Sequence, residues 1–151
     1  MLESIYNNIL IPWLVLGLVT AAILLKVSAP YGKFANKSWG PNVSFKWGWI
    51  IQEIVSPICF SAFFLIGSNN HQPIAWLFFI IWNLHYFNRS IIFPLRQKQT
   101  ATCPLVIVLS AISFNLINGF TNGYFLGNLI EYSNSYIYSW NFILGSILLI
   151  L

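Results

Sequence analysis

Residues 46–67 of the chain read KWGWIIQEIVSPICFSAFFLIG. After the opening lysine, this run contains a single charged side chain, Glu53, and apolar and aromatic residues dominate the rest. About 20 consecutive, mainly apolar residues are needed for an α-helix to cross the hydrocarbon core of a bilayer. The run is therefore predicted to be a transmembrane helix, and it indicates the fold class of the whole chain.

The composition of the whole chain is also strongly apolar. Of 151 residues, 58% are hydrophobic and 7% are charged, whereas a soluble domain carries about 25% charged residues. The seven basic residues form no stripe, which excludes a nucleic-acid-binding protein. Aromatic residues make up 18% of the chain, which excludes a disordered one. The composition predicts an integral membrane protein.

Polar breaks divide the chain into five predicted spans, so the expected fold is an all-α, polytopic membrane bundle. The spans cover residues 5–27, 46–67, 73–95, 104–126 and 138–151. The fifth would form about 21 Å of helix, which is less than the hydrocarbon thickness of about 30 Å. It also ends without a polar or basic residue. We therefore expect the fifth span to be truncated.

The basic residues of the connecting loops predict the orientation in the membrane. They occur only in or beside the first and third loops, as Lys26, Lys33, Lys37, Lys46, Arg96 and Lys98. Cytosolic loops carry the excess of Lys and Arg. The first and third loops are therefore predicted to be cytosolic and the N-terminus lumenal, and the acceptor-like sequences at Asn36 and Asn42 are expected to stay unglycosylated.

Two formal charges fall inside the predicted spans, Glu53 in the second and Arg89 in the third. Ionisable residues within a membrane are costly, and each is by default a functional-site hypothesis. Counted from the cytosolic ends at 1.5 Å per residue, both lie about 10 Å deep, and Tyr86 and Phe114 about 15 Å deep. The four side chains are thus expected in one layer that a cytosolic cofactor could reach.

Helical spacing and one proline predict a cavity in this layer. Trp49 shares a helix face with Glu53, and Tyr86 shares one with Arg89. Pro57 has no N–H to offer the carbonyl of Glu53, so the second span should bend there. A bend and a freed carbonyl beside a buried carboxyl favour a cavity over a lipid-facing surface.

Structural roles are the alternative for the same residues. Glu53 and Arg89 could form an ion pair that only joins two helices, and Trp49 and Tyr86 could be interfacial anchors. His85 is interpreted as a polar group satisfied by a neighbouring helix. Small and amide residues of the fourth span are predicted to pack and hydrogen-bond against another helix: Asn115, Asn118, Gly119, Asn122 and Gly123.

Other kinds of site find no support in the sequence. Cys59 and Cys103 are predicted to be free thiols, and no His, Cys or Asp has the spacing of a metal site. Phosphate-binding glycine motifs and the motif of a nucleophilic serine are also missing from the sequence.

Four segments, read in order, resemble the steroid 5-alpha-reductases, especially the plant members. They are Ala29-Pro-Tyr-Gly-Lys33 with Trp39-Gly-Pro41, Trp49-Ile-Ile-Gln-Glu53, LHYFNRSIIFPL at 84–95, and FNLING with NGYF at 114–119 and 122–125. The resemblance is collinear from about Ala29 onward. It covers roughly the N-terminal three-fifths of a family enzyme, which has seven spans.

The resemblance implies roles for individual residues. Glu53 and Tyr86 match the pair that hydrogen-bonds the C3 ketone of a 3-oxo-Δ4 steroid, and Trp49 and Phe114 match residues that line the steroid pocket. In the family, NADPH delivers hydride to C5 and a proton reaches C4, while donors at the ketone stabilise the developing enolate. Residues implied to support the site on its cofactor side are Arg89, Arg96 and Lys98.

The chain departs from the family in three places. Phe93 replaces the usual tyrosine, and residues 96–99 differ from the Asn-Arg-Gly-Arg of the animal members. The chain also stops where the family continues with an Asn-x-x-Ser-Asp segment and two more spans, which carry most NADPH contacts. Residues 1–151 are therefore expected to be the N-terminal, steroid-carbonyl-binding part of an NADPH-dependent enzyme of the endoplasmic reticulum. Without the cofactor-binding part, such a fragment could be inactive.

Two other functions remain open. A related reductase could act on another lipid double bond, in a polyprenol or a trans-2-enoyl thioester, although the Ala-Pro-Tyr-Gly loop and the Gln52–Glu53 pair favour a steroid. A non-catalytic, truncated membrane protein is the alternative from a different class. In that case the Glu53–Arg89 pair would be structural. For the reductase, the expected partners are a steroid or sterol-derived substrate, the lipid bilayer and the missing C-terminal part.

Overall fold

The computed structural model describes residues 1–27, 39–69, 71–97 and 102–150. The helices are α1 (Leu2–Leu24), α2 (Phe45–Leu65), α3 (Pro73–Phe87), α4 (Phe93–Arg96), α5 (Leu105–Tyr124) and α6 (Trp140–Ile150). A first π-helix (Asn88–Ile92) joins α3 to α4, a second (Phe125–Leu129) extends α5, and a 3₁₀-helix (Asn134–Tyr138) precedes α6. Two short strands, β1 (Asn42–Ser44) and β2 (Thr102–Pro104), complete the described part of the chain.

The predicted class, an all-α membrane bundle, is confirmed. Within the described residues, three helices are long and apolar enough to cross a membrane: Leu2–Leu24, Phe45–Leu65 and Leu105–Leu129. They correspond to the first, second and fourth predicted spans. The third predicted span is helical from Pro73 to Arg96, but its second half is too polar to meet the same criterion, and α6 is too short.

Helices α2 and α5 pack together along a row of glycines in α5 and the second π-helix, here called the glycine stripe: Gly119, Gly123 and Gly127. A Cβ atom at Gly119 or Gly127 would come within 2.8 Å of a backbone oxygen of α2, and one at Gly123 would overlap the carbonyl of Phe60. Small residues permit this kind of backbone approach between membrane helices. The predicted packing face of the fourth span is therefore present, and it extends one step further than predicted.

Aromatic rings attach α3 to this pair of helices. Phe60 of α2 stacks on Trp82 of α3 with ring centroids 4.6 Å apart, and Phe64 lies 4.9 Å from Phe79. Phe60 and Phe64 are almost completely buried. The core of the described bundle thus lies between α2, α3 and the second π-helix.

Helix α1 contacts the bundle near its N-terminal end. Tyr6 is buried, with ring centroids 6.5 Å from Phe120 and 5.7 Å from Tyr124, and Trp13 reaches Phe114 at 5.0 Å. Most other apolar side chains of α1 are exposed. This is the surface expected of a helix that faces lipid.

A two-stranded antiparallel ribbon joins the starts of α2 and α5. Strand β1 comes from the first loop and β2 from the third, with Val43 opposite Cys103. The sequence does not predict these strands, because each has only three residues and no alternating pattern can be recognised over so short a length. They pair because the two helices that follow them begin side by side.

A residue of the glycine stripe should tolerate no side chain. Gly123→Ala places a methyl group against the backbone of Phe60, so we expect the free energy of unfolding to fall by about 1–3 kcal/mol, as for other overpacked cores. The measurement is reversible unfolding in mixed micelles, followed by circular dichroism.

Gly17→Ala is the matched control, because a Cβ atom at Gly17 meets no other atom within 4 Å. That substitution should leave stability unchanged or raise it slightly, since alanine is the better helix former. Equal stabilities of the two variants would contradict the close approach of α2 and α5.

Candidate functional site

A cavity of about 410 Å³, here called the first cavity, lies between α2, α3 and α5 beside the β-ribbon. Five of the seven residues predicted for the site line it: Trp49, Glu53, Tyr86, Arg89 and Phe114. Arg96 is exposed at the end of α4 and does not line this cavity. Lys98 lies outside the described residues, as does the segment from Ala29 to Lys33.

Glu53 and Arg89 form a two-point ion pair on the cavity wall. Arg89 Nε donates to Glu53 Oε2 at 2.6 Å, and Nη2 donates to Oε1 at 3.1 Å. The side chain of Glu53 is 5% exposed and that of Arg89 is 46% exposed. A buried carboxylate needs such a partner, because an uncompensated charge away from water is costly. The ion pair considered as a structural alternative is therefore present, and it borders the cavity.

Trp49 holds Arg89 through both the backbone and the side chain. In the first π-helix, the N–H of Phe93 bonds to the carbonyl of Asn88, five residues earlier. The next residue, Pro94, has no N–H to give to the carbonyl of Arg89. The indole Nε1 of Trp49 donates to that carbonyl at 3.0 Å.

The ring of Trp49 also lies against the charge of Arg89. The guanidinium carbon is 5.3 Å from the ring centroid, within the range of a cation–π interaction. Phe93, which replaces the family tyrosine, packs on the same indole at 5.3 Å. The sequence predicted Trp49 as an apolar lining residue or an interfacial anchor, and its bond to a backbone carbonyl was not predicted. The irregular helix that Trp49 stabilises lies in the third predicted span, whereas α2 is α-helical through Pro57.

The amides predicted to join helices fall into two groups. Asn115 Nδ2 donates to the backbone oxygen of Gln52 in α2 at 2.7 Å, and Asn118 Nδ2 donates to the hydroxyl of Tyr86 in α3 at 3.2 Å. Asn122 bonds to Asn118 within α5. The first two therefore connect helices as predicted, whereas Asn122 does not. Asn118 touches a predicted site residue, which its pattern in the sequence did not reveal.

A second cavity, of about 480 Å³, lies on the other side of Tyr86. It shares Tyr86 and His85 with the first cavity, and aromatic side chains such as Phe60, Phe78 and Trp82 form much of its wall. Tyr86 thus lies where the two cavities meet, with its ring 5.1 Å from that of Trp82.

The prediction for His85 was wrong. Its ring is exposed and contacts Tyr86 edge-on at 5.3 Å, and no described residue of a neighbouring helix hydrogen-bonds to it. A side chain on the cavity surface has no need of a partner within the bundle, which explains the difference. The role of a histidine on a helix cannot be read from its own spacing.

Both cysteines of the chain are free thiols, as predicted. Cys59 donates to the carbonyl of Leu116 at 3.3 Å. Cys103, in β2, is buried and lines the first cavity, and burial raises the pKa of its thiol. A thiol with a raised pKa is a poor nucleophile at neutral pH. Cys103 therefore belongs to the wall of the cavity as a small apolar group.

No protein-family model matches the chain. It is 30% identical over 155 residues to steroid 5-alpha-reductase DET2 of Gossypium hirsutum, and 29% identical over 157 residues to the protein of that name from Arabidopsis thaliana. Each match covers 98% of the chain and 59% of the relative. The 3-oxo-5-alpha-steroid 4-dehydrogenase 1 of Bos taurus is 28% identical over 138 residues, which cover 88% of the chain and 53% of the relative.

The chain is thus similar over nearly its whole length to curated proteins named steroid 5-alpha-reductase, which confirms the predicted resemblance. The chain spans less than two thirds of the length of these curated relatives.

The ion pair gives a test of the site's geometry. Arg89→Met leaves the carboxyl of Glu53 buried without its partner, so we expect the free energy of unfolding to fall by about 1–3 kcal/mol. This is less than the 3–5 kcal/mol typical of a fully buried pair, because Arg89 is half exposed. The double variant Glu53→Gln/Arg89→Met should recover part of the loss.

Arg96→Met is the control for removing a positive charge, since Arg96 is exposed at the end of α4. Its stability should stay within about 0.5 kcal/mol of the unsubstituted protein. If the losses of stability caused by Glu53→Gln and Arg89→Met simply add in the double variant, the two side chains are not coupled.

Proposed function

We propose that the chain takes part in the NADPH-dependent reduction of the Δ4 double bond of 3-oxo-Δ4 steroids, and that the first cavity binds the steroid. One observation carries the proposal. Glu53 and Tyr86, which match the ketone-binding pair of the family, come from different helices and border the same cavity. The printed names of the relatives, steroid 5-alpha-reductase and 3-oxo-5-alpha-steroid 4-dehydrogenase, support the same chemistry.

The volume and lining of the first cavity support a largely apolar ligand that also carries a polar group. Its volume falls in the range of about 300–1,000 Å³ that is usual for ligand pockets. Side chains of α5 such as Phe114 supply apolar wall, and Trp49 supplies a ring on α2. Most of the polar lining groups, Glu53, Tyr86 and Arg89 among them, belong to α2, α3 and the first π-helix, and Asn115 adds one on α5.

The proposed chemistry depends on hydrogen bonds to the ketone oxygen. NADPH, held outside the described residues, would supply hydride to C5. Negative charge would then develop on the ketone oxygen, where a preorganised donor in a water-poor site would stabilise the enolate. A proton taken up at C4, ultimately from solvent, would complete the reduction. Tyr86 is proposed to donate to the oxygen, because its hydroxyl already accepts from Asn118 and keeps its own proton for another partner.

Glu53 is proposed as the second ketone-binding group. In the structure, both of its oxygens accept from Arg89. To bind the ketone, Glu53 must carry a proton and exchange one of these bonds. The longer bond, at 3.1 Å to Oε1, is the easier one to exchange. Arg89 would then still hold Oε2 and keep the carboxyl in position.

The described residues do not by themselves fit NADPH. Proteins hold its phosphates with glycine-rich loops, helix N-termini or clusters of Arg and Lys. Arg89 is engaged by Glu53, and Arg96 does not line the first cavity. We infer that the phosphates are bound outside the described residues, where Lys98 is a candidate contact. In the relatives, the part that the match leaves uncovered would supply the remaining contacts.

We further propose that the protein lies in the endoplasmic reticulum membrane, with its first and third loops in the cytosol. The pairing of β1 with β2 supports a common side for these two loops. Asn69 in the second loop donates to the backbone of Gly127 and Asn128, which supports a common side for the second and fourth loops. The positive-inside rule then favours the cytosol for the first pair.

Glycosylation mapping tests this orientation. An Asn-x-Thr acceptor on a flexible linker before Met1 should be modified, whereas the natural acceptor Asn42-Val-Ser44 should not, because glycosylation takes place in the lumen. The readout is a glycosidase-sensitive shift in electrophoretic mobility. The same tag inserted between residues 99 and 100 is the control, and its modification would contradict the proposed orientation.

Turnover in membranes tests the proposed reaction. The chain would be expressed alone and fused to the unmatched part of the Gossypium hirsutum relative, then supplied with NADPH and a 3-oxo-Δ4 steroid, with the product identified by mass. We expect Tyr86→Phe and Glu53→Gln each to lower kcat by about 100-fold or more in the active form, because the first removes the phenol O–H and the second replaces a carboxyl O–H with the much less acidic N–H of an amide.

Tyr138→Phe and Glu131→Gln are the matched controls, because both side chains are exposed and line neither cavity. Both should retain full turnover. Wild-type turnover of Tyr86→Phe would contradict the site. Reduction of a polyprenol or a trans-2-enoyl thioester in place of the steroid would favour the alternative substrate, and no turnover by either form would favour a non-catalytic protein.

A further inference from the structure

Two asparagine side chains form a series of hydrogen bonds that ends at the hydroxyl of Tyr86. Asn122 Nδ2 donates to Asn118 Oδ1 at 3.0 Å, and Asn118 Nδ2 donates to Tyr86 Oη at 3.2 Å. The two asparagines are four residues apart in α5, so they lie on the same face of the helix, one turn apart. This face borders the second cavity, which both amides line.

Asn122 fixes the direction of the hydrogen bonds in this series. Asn122 also donates to the backbone oxygen of Asn118 at 2.9 Å, so its NH₂ group is turned toward Asn118. The amide oxygen of Asn118 accepts from that group, and an amide with its oxygen on one side presents its NH₂ on the other. Asn118 therefore meets Tyr86 as a donor.

A phenol that accepts a hydrogen bond directs its own proton elsewhere. The oxygen of Tyr86 accepts a hydrogen bond from the NH₂ group of Asn118, so the single O–H of Tyr86 must donate to a different acceptor. Tyr86 borders both cavities, so an acceptor in either one can receive this proton. Accepting one bond also strengthens the bond that a hydroxyl donates, because successive hydrogen bonds polarise one another.

We infer that Asn118 is a positioning residue which makes Tyr86 a hydrogen-bond donor toward the carbonyl of a bound ligand, and that Asn122 sets the orientation of the Asn118 amide. The inference rests on the proposed role of Tyr86 and extends it to two residues of α5. Neither asparagine lines the first cavity, so both would act on a carbonyl bound there through the direction of one O–H bond.

Substitution by aspartate tests this direction. Asn118→Asp has nearly the same size but offers only acceptor oxygens when ionised. Tyr86 would then donate to the new carboxylate, and its O–H would no longer be available to the ligand. Asn118→Leu removes the bond without reversing it. We expect kcat for steroid reduction to fall by about 100-fold for Asn118→Asp, as for Tyr86→Phe, and by roughly tenfold for Asn118→Leu, with little change in KM.

A spectroscopic measurement reports the same bond without turnover. The probe is a 3-oxo-Δ4 steroid with ¹³C at C3, bound to the protein in membranes, and the readout is the infrared stretching frequency of its carbonyl. The wild-type protein should shift this frequency to a lower value than in an apolar solvent. The shift should disappear in Tyr86→Phe and Asn118→Asp, and it should be partly lost in Asn118→Leu.

Asn83→Asp is the control for a new carboxyl in a membrane helix. Asn83 lies in α3, accepts a hydrogen bond from Ser61 of α2 at 3.2 Å, and lines neither cavity. It should reproduce any general destabilisation without changing the carbonyl frequency. Asn122→Leu gives a second test, because Asn122 is exposed and its removal should not prevent folding. This variant should lose part of the shift.

The outcomes separate the inference from the proposed function. A shifted carbonyl that responds to Asn118→Asp, without NADPH-dependent turnover, would support the positioning role and contradict the reductase proposal. An unshifted carbonyl in the wild-type protein, or a shift that survives Asn118→Asp, would overturn the positioning role even if the steroid is reduced.

Discussion

The contact between the backbones of α2 and α5 is the constraint on which the described structure depends. Along the glycine stripe, no side chain separates the two helices, so their relative position is set by main-chain atoms. This position brings Asn115 to the carbonyl of Gln52, the residue next to Glu53. It also sets the gap between α2 and α3 on one side and α5 on the other. The first cavity is the space that remains where the rows of side chains diverge beyond the stripe.

Beside this cavity, several weak interactions together stabilise the charged side chains of Glu53 and Arg89. Glu53 is paired, Arg89 is held by an indole, and the backbone carbonyl that Pro94 cannot satisfy is bonded by the same indole. In water, solvent molecules could replace each of these interactions. In a bilayer, where unsatisfied polar groups find no solvent, they make an irregular helix and an ion pair compatible with a stable fold. The polar wall of the cavity is thus also part of its scaffold.

Much of this arrangement could be predicted from the sequence. Long apolar runs predicted the helices, and the spacing of Gly119 and Gly123 predicted a packing face. These two inferences succeeded because they depend on periodicity along a single helix. Counting residues from the predicted cytosolic ends placed four side chains in one layer, and all four line the first cavity: Glu53, Arg89, Tyr86 and Phe114. The β-ribbon, the indole–carbonyl bond of Trp49 and the contact of Asn118 with Tyr86 depend on how two helices are rotated about their axes. That rotation is decided by the whole interface, so no single segment encodes it, and the wrong prediction for His85 has the same origin.

The β-ribbon has a consequence for how a lipid-borne molecule can reach the interior. Ribbon and glycine stripe fasten α2 to α5 at one end and along their length, with hydrogen bonds and main-chain contacts that cannot slide. Helix α3 is attached to this pair by aromatic contacts, such as that of Phe60 with Trp82, and by side-chain hydrogen bonds, such as that of Asn118 with Tyr86. Side-chain contacts of this kind constrain a helix less closely than main-chain packing does. The boundary between α3 and the α2–α5 pair is therefore easier to open than the boundary between α2 and α5, and α3 carries Tyr86 on that boundary.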